Sequence, residues 1–120
     1  MTSTFVHLHL HTEFSLLDGI VRIKPLMQTL IDEKMPACAM TDQANLFALV
    51  KYYTAAMGTG IKPIIGSEVY LENPDDRNKP FCLVLLCQDQ TGYHHLSLLL
   101  SQAYTENQHH GKAMIKREWL

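Results

Sequence analysis

The segment His7-Leu8-His9-Leu10-His11 constrains this chain more than any other. Histidine and leucine alternate strictly, and a period of two belongs to a β-strand, whose successive side chains point to opposite faces. The alternation predicts a strand with His7, His9 and His11 on one face and a packed row of Val6, Leu8 and Leu10 on the other. The chain must then bury the leucine side and leave the imidazoles facing a common space. Neutral imidazole is the commonest protein ligand for zinc and similar ions, so that face reads as half of a metal site. A single histidine on a strand is ordinarily a hydrogen-bonded, partly buried residue; three in strict alternation point to a site. The run is broken by leucines and passes into patterned sequence, unlike an expression tag.

The rest of the chain supplies the layers such a strand needs. After a turn at Leu17-Asp18-Gly19, residues 23–34 carry apolar side chains at helical spacing (Ile23, Leu26, Met27, Leu30, Ile31), with Pro25 tolerated in the first turn. Residues 36–41 read as a strand buried on both faces, with Asp42 at its end. A second helix spans about residues 46–57 and is closed by Gly58 or Gly60. Residues 61–65 form a third strand with Pro63 near its start, then Gly66-Ser67-Glu68 and a further extended stretch. Residues 73–80 are a loop, 81–87 a fourth buried strand, 89–92 a turn and 93–104 a third helix. Residues 105–112 are polar, and 115–120 read as the opening of another helix, with Trp119 awaiting a partner surface. Met27, Met40 and Met57 are spaced as core, while His94-His95 and His109-His110 read as solvated.

This order of elements is an α/β pattern, in which parallel strands are joined by right-handed crossovers. Ligands in such folds gather beyond the carboxyl ends of the strands. His11, Asp42 and Glu68 arrive at that rim from three successive strands. Asp42 is equally suited to capping the helix after it, and Glu68 to standing in solvent as a loop residue.

Composition narrows the function. Of the 120 residues, 47% are apolar, which suffices for a core and is too many for a disordered chain. A net charge of −2 excludes a general basic surface for nucleic acid on this segment. The opening residues lack the basic and apolar regions of a signal peptide, and no apolar run is long enough for a membrane span, so a cytoplasmic protein is expected. Cys38, Cys82 and Cys87 sit in apolar stretches and read as buried free thiols of a reducing compartment. The spacing of Cys82 and Cys87 does not match a zinc ribbon.

Three stretches together resemble a known family. Residues 5–19 (FVHLHLHTEFSLLDG) resemble the first motif of the polymerase and histidinol phosphatase (PHP) superfamily, 39–47 (AMTDQANLF) its second, and 60–68 (GIKPIIGSE) the segment carrying its motif glutamate. With Thr91-Gly92-Tyr93 and Ala103-Tyr104, the chain is similar to the replicative-polymerase branch of that superfamily from about Phe5 to Leu120.

The resemblance implies the first half of a distorted (β/α)7 barrel with mostly parallel strands. Residues 1–120 would be one partial PHP domain that continues beyond this chain, with no second domain within it. Members with a full ligand set bind a metal cluster and act as 3′→5′ exonucleases or phosphoesterases. Others have lost ligands and serve as structural modules that dock a separate proofreading exonuclease subunit and other holoenzyme subunits. The full-length relative would be a DNA-directed DNA polymerase acting on DNA and deoxynucleoside triphosphates with magnesium, and its polymerase carboxylates would lie outside this chain.

By position, His9, His11, Asp18 and Glu68 match metal ligands of the family. Asp42 and His7 match positions that support them; at His7 many members have aspartate. Gln43 stands where the metal-binding branch has histidine and Ala44 where it has glycine, while Cys82 stands where many relatives of the polymerase branch have a histidine entering the next strand. A neutral glutamine amide is a poor zinc ligand, whereas cysteine can ligate as thiolate. The resemblance therefore implies a degenerate site with partial occupancy by zinc, manganese or magnesium, and a domain more structural than catalytic. The alternative is metal-assisted phosphodiester hydrolysis.

Overall fold

The computed structural model describes residues 4–15 and 18–120. Leu17, in the turn expected at residues 17–19, lies outside the described residues. Helix α1 (Ile23–Asp32) buries Ile23, Met27 and Leu30 along one stripe. Pro25 sits in its first turn, where the missing N–H is needed by no helical bond. Strand β1 (Ala37–Gln43) follows and is buried at every residue but the last.

Helix α2 (Leu49–Thr59) begins later than the apolar pattern suggests. The Asn45 side chain accepts the Phe47 N–H at 3.0 Å and holds a turn there first. Its end is Gly60, at φ 78°, where a residue with a side chain would be strained. Gly58 lies inside the helix. Leu30, Met40, Tyr52 and Ile61 form the first core between α1, α2 and β1. The Tyr52 hydroxyl donates to the Cys38 carbonyl oxygen and so satisfies a phenol that is fully buried. Met57, spaced as core in the sequence, is 61% exposed.

Strand β2 (Lys62–Leu71) is the spine of the sheet. It runs parallel to β1 from Lys62 to Glu68. Strand β3 (Phe81–Leu86) pairs with its other edge, antiparallel, from Gly66 to Leu71. Helix α3 (Gln90–Glu106) starts inside the segment that reads as a turn, because Asp89 caps it by accepting the Gly92 N–H at 2.9 Å.

Strands β4 (Gln108–His109) and β5 (Lys112–Ile115) make a hairpin through His110 and Gly111, at φ 51° and 78°. Tyr70 of β2 pairs with both Cys82 and Met114, so β5 takes up the edge of β2 that β1 leaves after Glu68. The second core, with Val69, Leu96, Leu100, Ala103 and Ile115, lies between this part of the sheet and α3.

The chain is thus a mixed α/β fold whose β1–β2–β5 path is parallel, with β3 and β4 added antiparallel. Three expectations are corrected. The apolar run at β3 is an antiparallel strand with no fully buried residue, since it holds an outer position in the sheet. Of the cysteines, only Cys38 is buried; Cys82 is exposed and Cys87 half-buried. Residues 115–120 do not open a helix: Ile115 ends β5, and Arg117–Trp119 form a single 3-10 turn, with Trp119 against the second core.

Candidate metal centre

The His-Leu segment runs along the free edge of β1 but is not a regular strand. Ala39 N–H donates to the His7 carbonyl at 2.8 Å, and Thr41 N–H to that of Leu10 at 2.9 Å. Three residues of the segment therefore advance against two of β1, and the extra one makes a bulge. The bulge ends the alternation that the sequence suggests. The His7 ring turns edge-on to Phe5, with centroids 4.8 Å apart, and Leu8 is 51% exposed instead of packed. His9 and His11 stay together, ring centroids 5.4 Å apart.

These two imidazoles meet Glu68 of β2. The Nε2 atoms of His9 and His11 both lie 2.6 Å from Glu68 Oε2. Among the described residues, these three form the group whose ligand atoms are close enough to share one ion. Two nitrogens and a carboxylate oxygen suit zinc, manganese or a related divalent ion. Ligand atoms around a tetrahedral zinc stand about 3.3 Å apart, given bonds of ~2.0–2.1 Å. Each imidazole nitrogen would have to move less than ~1 Å away from the Glu68 oxygen to reach that spacing.

Asp18 lies against the other nitrogen of the His11 ring. Its Oδ2 lies 3.2 Å from Nδ1 of His11, on the far side of the ring from Glu68. A histidine that offers Nε2 to a cation keeps its proton on Nδ1, and a carboxylate there fixes both tautomer and ring orientation. Asp42 sits behind the segment, fully buried. It accepts the Thr12 N–H at 2.5 Å and the Thr12 hydroxyl at 2.7 Å. These bonds pin the residue next to His11 onto β1. Gly19 closes the loop against the same residue: a Cβ there would lie 1.8 Å from the Thr12 carbonyl oxygen.

Gln43 contributes no ligand atom to this group. Its N–H donates to Ser15 Oγ at 2.7 Å, and its side-chain amide donates to the backbone carbonyl of Glu68 at 3.2 Å. Cys82 points to the side of the sheet that carries Glu68, two residue pairs along β3. Burial pushes its thiol up, the neighbouring Glu68 charge pushes it further, and Lys112 acts in the opposite sense. Burial also raises the Glu68 carboxyl, but the hydrogen bonds and charges of His9 and His11 outweigh it and leave Glu68 below the ordinary carboxylate value.

The sequence pattern does not reveal Thr12, Ser15, Tyr70 and Tyr104, which frame the site. The Tyr104 hydroxyl donates to the Ala44 carbonyl at 2.8 Å, beyond the end of β1, where Ala44 is held at φ 54°. Tyr70 shares the Glu68 face of β2. Burial raises its phenol first, and the charges of Cys82, Asp18 and Glu68 raise it further. The one signal that could have found Tyr70 is its spacing of two from Glu68 on a strand.

A fold with imidazoles and carboxylates converging at strand ends matches the PHP domain, whose family model covers residues 7–120; the chain belongs to this family. It is 47% identical to DNA polymerase III subunit alpha of Pseudomonas aeruginosa and 48% identical to that of Pseudomonas fluorescens, each over 120 residues. All of this chain is matched, and it spans 10% of the length of those relatives. Among solved structures it resembles a protein assigned as a metal-dependent phosphoesterase from Bifidobacterium adolescentis (TM-score 0.64, 18% identity, 84% of this chain and 33% of that one). It also resembles an amidohydrolase from Chromobacterium violaceum (TM-score 0.64, 22% identity, 82% of this chain and 32% of that one). At these identities the structural likeness speaks for the fold.

Proposed function

We propose that this chain is the opening part of the PHP domain of a bacterial DNA polymerase III alpha subunit. In the whole polymerase it serves as a structural and docking module around a partial divalent-cation centre. The similarity of the entire chain to alpha subunits supports the first statement. The observation that carries the second is Gln43: a neutral amide, already donating to the Glu68 carbonyl, stands at the rim where the family's catalytic branch has a histidine.

Under this reading His9, His11 and Glu68 hold zinc, manganese or magnesium, and Asp18 orients His11 from behind. A bound ion would supply an activated water and neutralise phosphate charge. Asp42 and Thr12 keep the two imidazoles in register with Glu68. The domain's partners are the proofreading exonuclease subunit and other holoenzyme subunits; DNA, deoxynucleoside triphosphates and magnesium belong to the full-length polymerase. The compartment is the cytoplasm.

The test is the metal content of the full-length protein after dialysis, followed by a manganese titration read by electron paramagnetic resonance. Weak, substoichiometric binding that disappears in Glu68→Gln is the expected result. Stoichiometric zinc or manganese retained through dialysis would overturn the degenerate reading. It would favour the alternative, a metal-dependent 3′→5′ exonuclease. That alternative predicts digestion of a labelled single strand, lost in Glu68→Gln while polymerisation persists.

A further inference from the structure

Tyr70 stands two residues beyond Glu68 on β2, so both side chains leave the same face of the sheet, about 7 Å apart along the strand. Cys82 faces Tyr70 from β3, and β5 begins on the opposite edge. From β5 the Lys112 side chain reaches over the Tyr70 ring, its Nζ 5.2 Å from the ring centroid. Among the described residues no carboxylate forms a salt bridge with Lys112. The cation is held in place by an aromatic face while its N–H donors stay available. Lys112 precedes Met114, the partner of Tyr70, by two residues, as Glu68 precedes Tyr70 on the parallel strand, so both lie on one face toward the same end of the sheet, at the margin of the His9–His11–Glu68 group. The carboxylates of Glu68 and Asp18 make this margin unfavourable for an anion. A cation in the centre would offset that charge, and Lys112 is then placed to bind whatever anion the centre receives.

We propose that Lys112, held over Tyr70, is the anion-binding residue of this site and takes a non-bridging oxygen of a single phosphate group presented to the His9–His11–Glu68 centre. The proposal rests on the reading of that group as a cation centre. A lysine suits a compact, tetrahedral oxyanion, for which one strongly hydrated point charge is enough; a planar carboxylate would favour the fork of arginine. The phosphate can be free or the terminal phosphate of a nucleotide, and the two sources share this recognition.

The experiment is a calorimetric titration of the full-length protein with inorganic phosphate and, separately, with a deoxynucleoside 5′-monophosphate. Each is run with manganese and with chelator, in the wild type, Lys112→Met and Lys112→Arg. With manganese, Lys112→Met should weaken both ligands about tenfold or more, and Lys112→Arg should hold within about threefold, because a charge-assisted bond is lost in one and kept in the other. Manganese affinity itself should change by less than about twofold, since Lys112 donates no ligand atom. Equal phosphate binding in wild type and Lys112→Met overturns the proposal, as does a wild type that binds neither ligand. A loss confined to the nucleotide also overturns it, because Lys112 would then be reading sugar or base. If manganese fails to bind while phosphate binding in chelator still depends on Lys112, the cation-centre reading falls and the anion site stands.

Discussion

Strands β1 and β3 lie on opposite edges of β2 and reverse what their sequences suggest. β1 reads ACAMTDQ, with an acid and two other polar residues, and is buried from Ala37 to Asp42. β3 reads FCLVLL, wholly apolar, and has no buried residue. Hydropathy alone would rank them the other way round. The difference lies in neighbours. β1 has β2 on one edge, the histidine segment on the other, and the first core, with α1 and α2, against it. Among the described residues β3 pairs only with β2. The polar residues of β1 tolerate burial because each has a partner: Thr41 with the backbone of Leu10, Asp42 with Thr12, and Gln43 with Ser15 and Glu68. Burial thus follows from how many sides of a strand are covered, and polar side chains can lie inside when their hydrogen bonds are met.

Substitutions on the two strands can break or sharpen this contrast. The largest effect is expected at Asp42. Asp42→Ala leaves the Thr12 N–H and hydroxyl without their buried acceptor and should cost about 3 kcal/mol or more in urea unfolding. It should weaken manganese binding as well, because Thr12 adjoins His11; a loss of stability with unchanged manganese affinity would separate the two roles.

The next is the acid response of Glu68, which pairs with β1 and β3 alike. Its folded-state value is depressed below the ordinary ~4.3, so its stabilising contribution is complete above about pH 5 and is lost as pH falls through the lower folded value. Acid unfolding should therefore show a Glu68-dependent loss below about pH 4 that Glu68→Gln flattens. Parallel acid profiles for the two proteins would reject this linkage.

A smaller effect concerns the two cysteines. Cys82 on β3 should be alkylated in the native protein, whereas Cys38 on β1 should react only after unfolding. Both thiols are raised by burial, and Cys82 additionally by Glu68. Native labelling of Cys82 should speed up with pH, and Glu68→Gln should speed it severalfold at fixed neutral pH. Mass mapping of the alkylated peptides reads both, and native labelling of Cys38 would show that β1 is less closed than its burial implies. The smallest effect is at Phe81, which is 50% exposed at the start of β3. Phe81→Thr should shift stability by no more than ~0.5 kcal/mol in the same urea assay. A larger loss would mean that β3 is as well covered as β1.

Much of the site was legible because its ligands are spaced by rules of local geometry. His9 and His11 are two apart, and Asp42 and Glu68 stand on the later halves of strands β1 and β2. Parallel pairing then brings Gln43 opposite Glu68, and the rim follows. His7 was not legible as an outsider, because a bulge is decided by the pairing of two distant segments and leaves no mark on the alternation itself. Asp18 belongs to a ligand motif by sequence, but its carboxylate meets Nδ1 of His11 through a loop path that only the folded chain defines. The β4–β5 hairpin went unread because His110-Gly111 is a weak turn signal inside a polar stretch. Four residues of β5 are also too few to tell period two from the helical period.

The sequence by itself determined the elements and the chemistry: where α1, β1, α2 and β2 lie, and which imidazoles and carboxylates could serve an ion. Those follow from side-chain periodicity and donor type, which act over a few residues. Only the tertiary structure decided that His9, His11 and Glu68 share one point while His7 leaves it, that the polar strand lies inside and the apolar one outside, and that Lys112 reaches Tyr70. The reason is that pairing register and coverage are set by residues tens of positions away, whose contacts exist only once the backbone has closed.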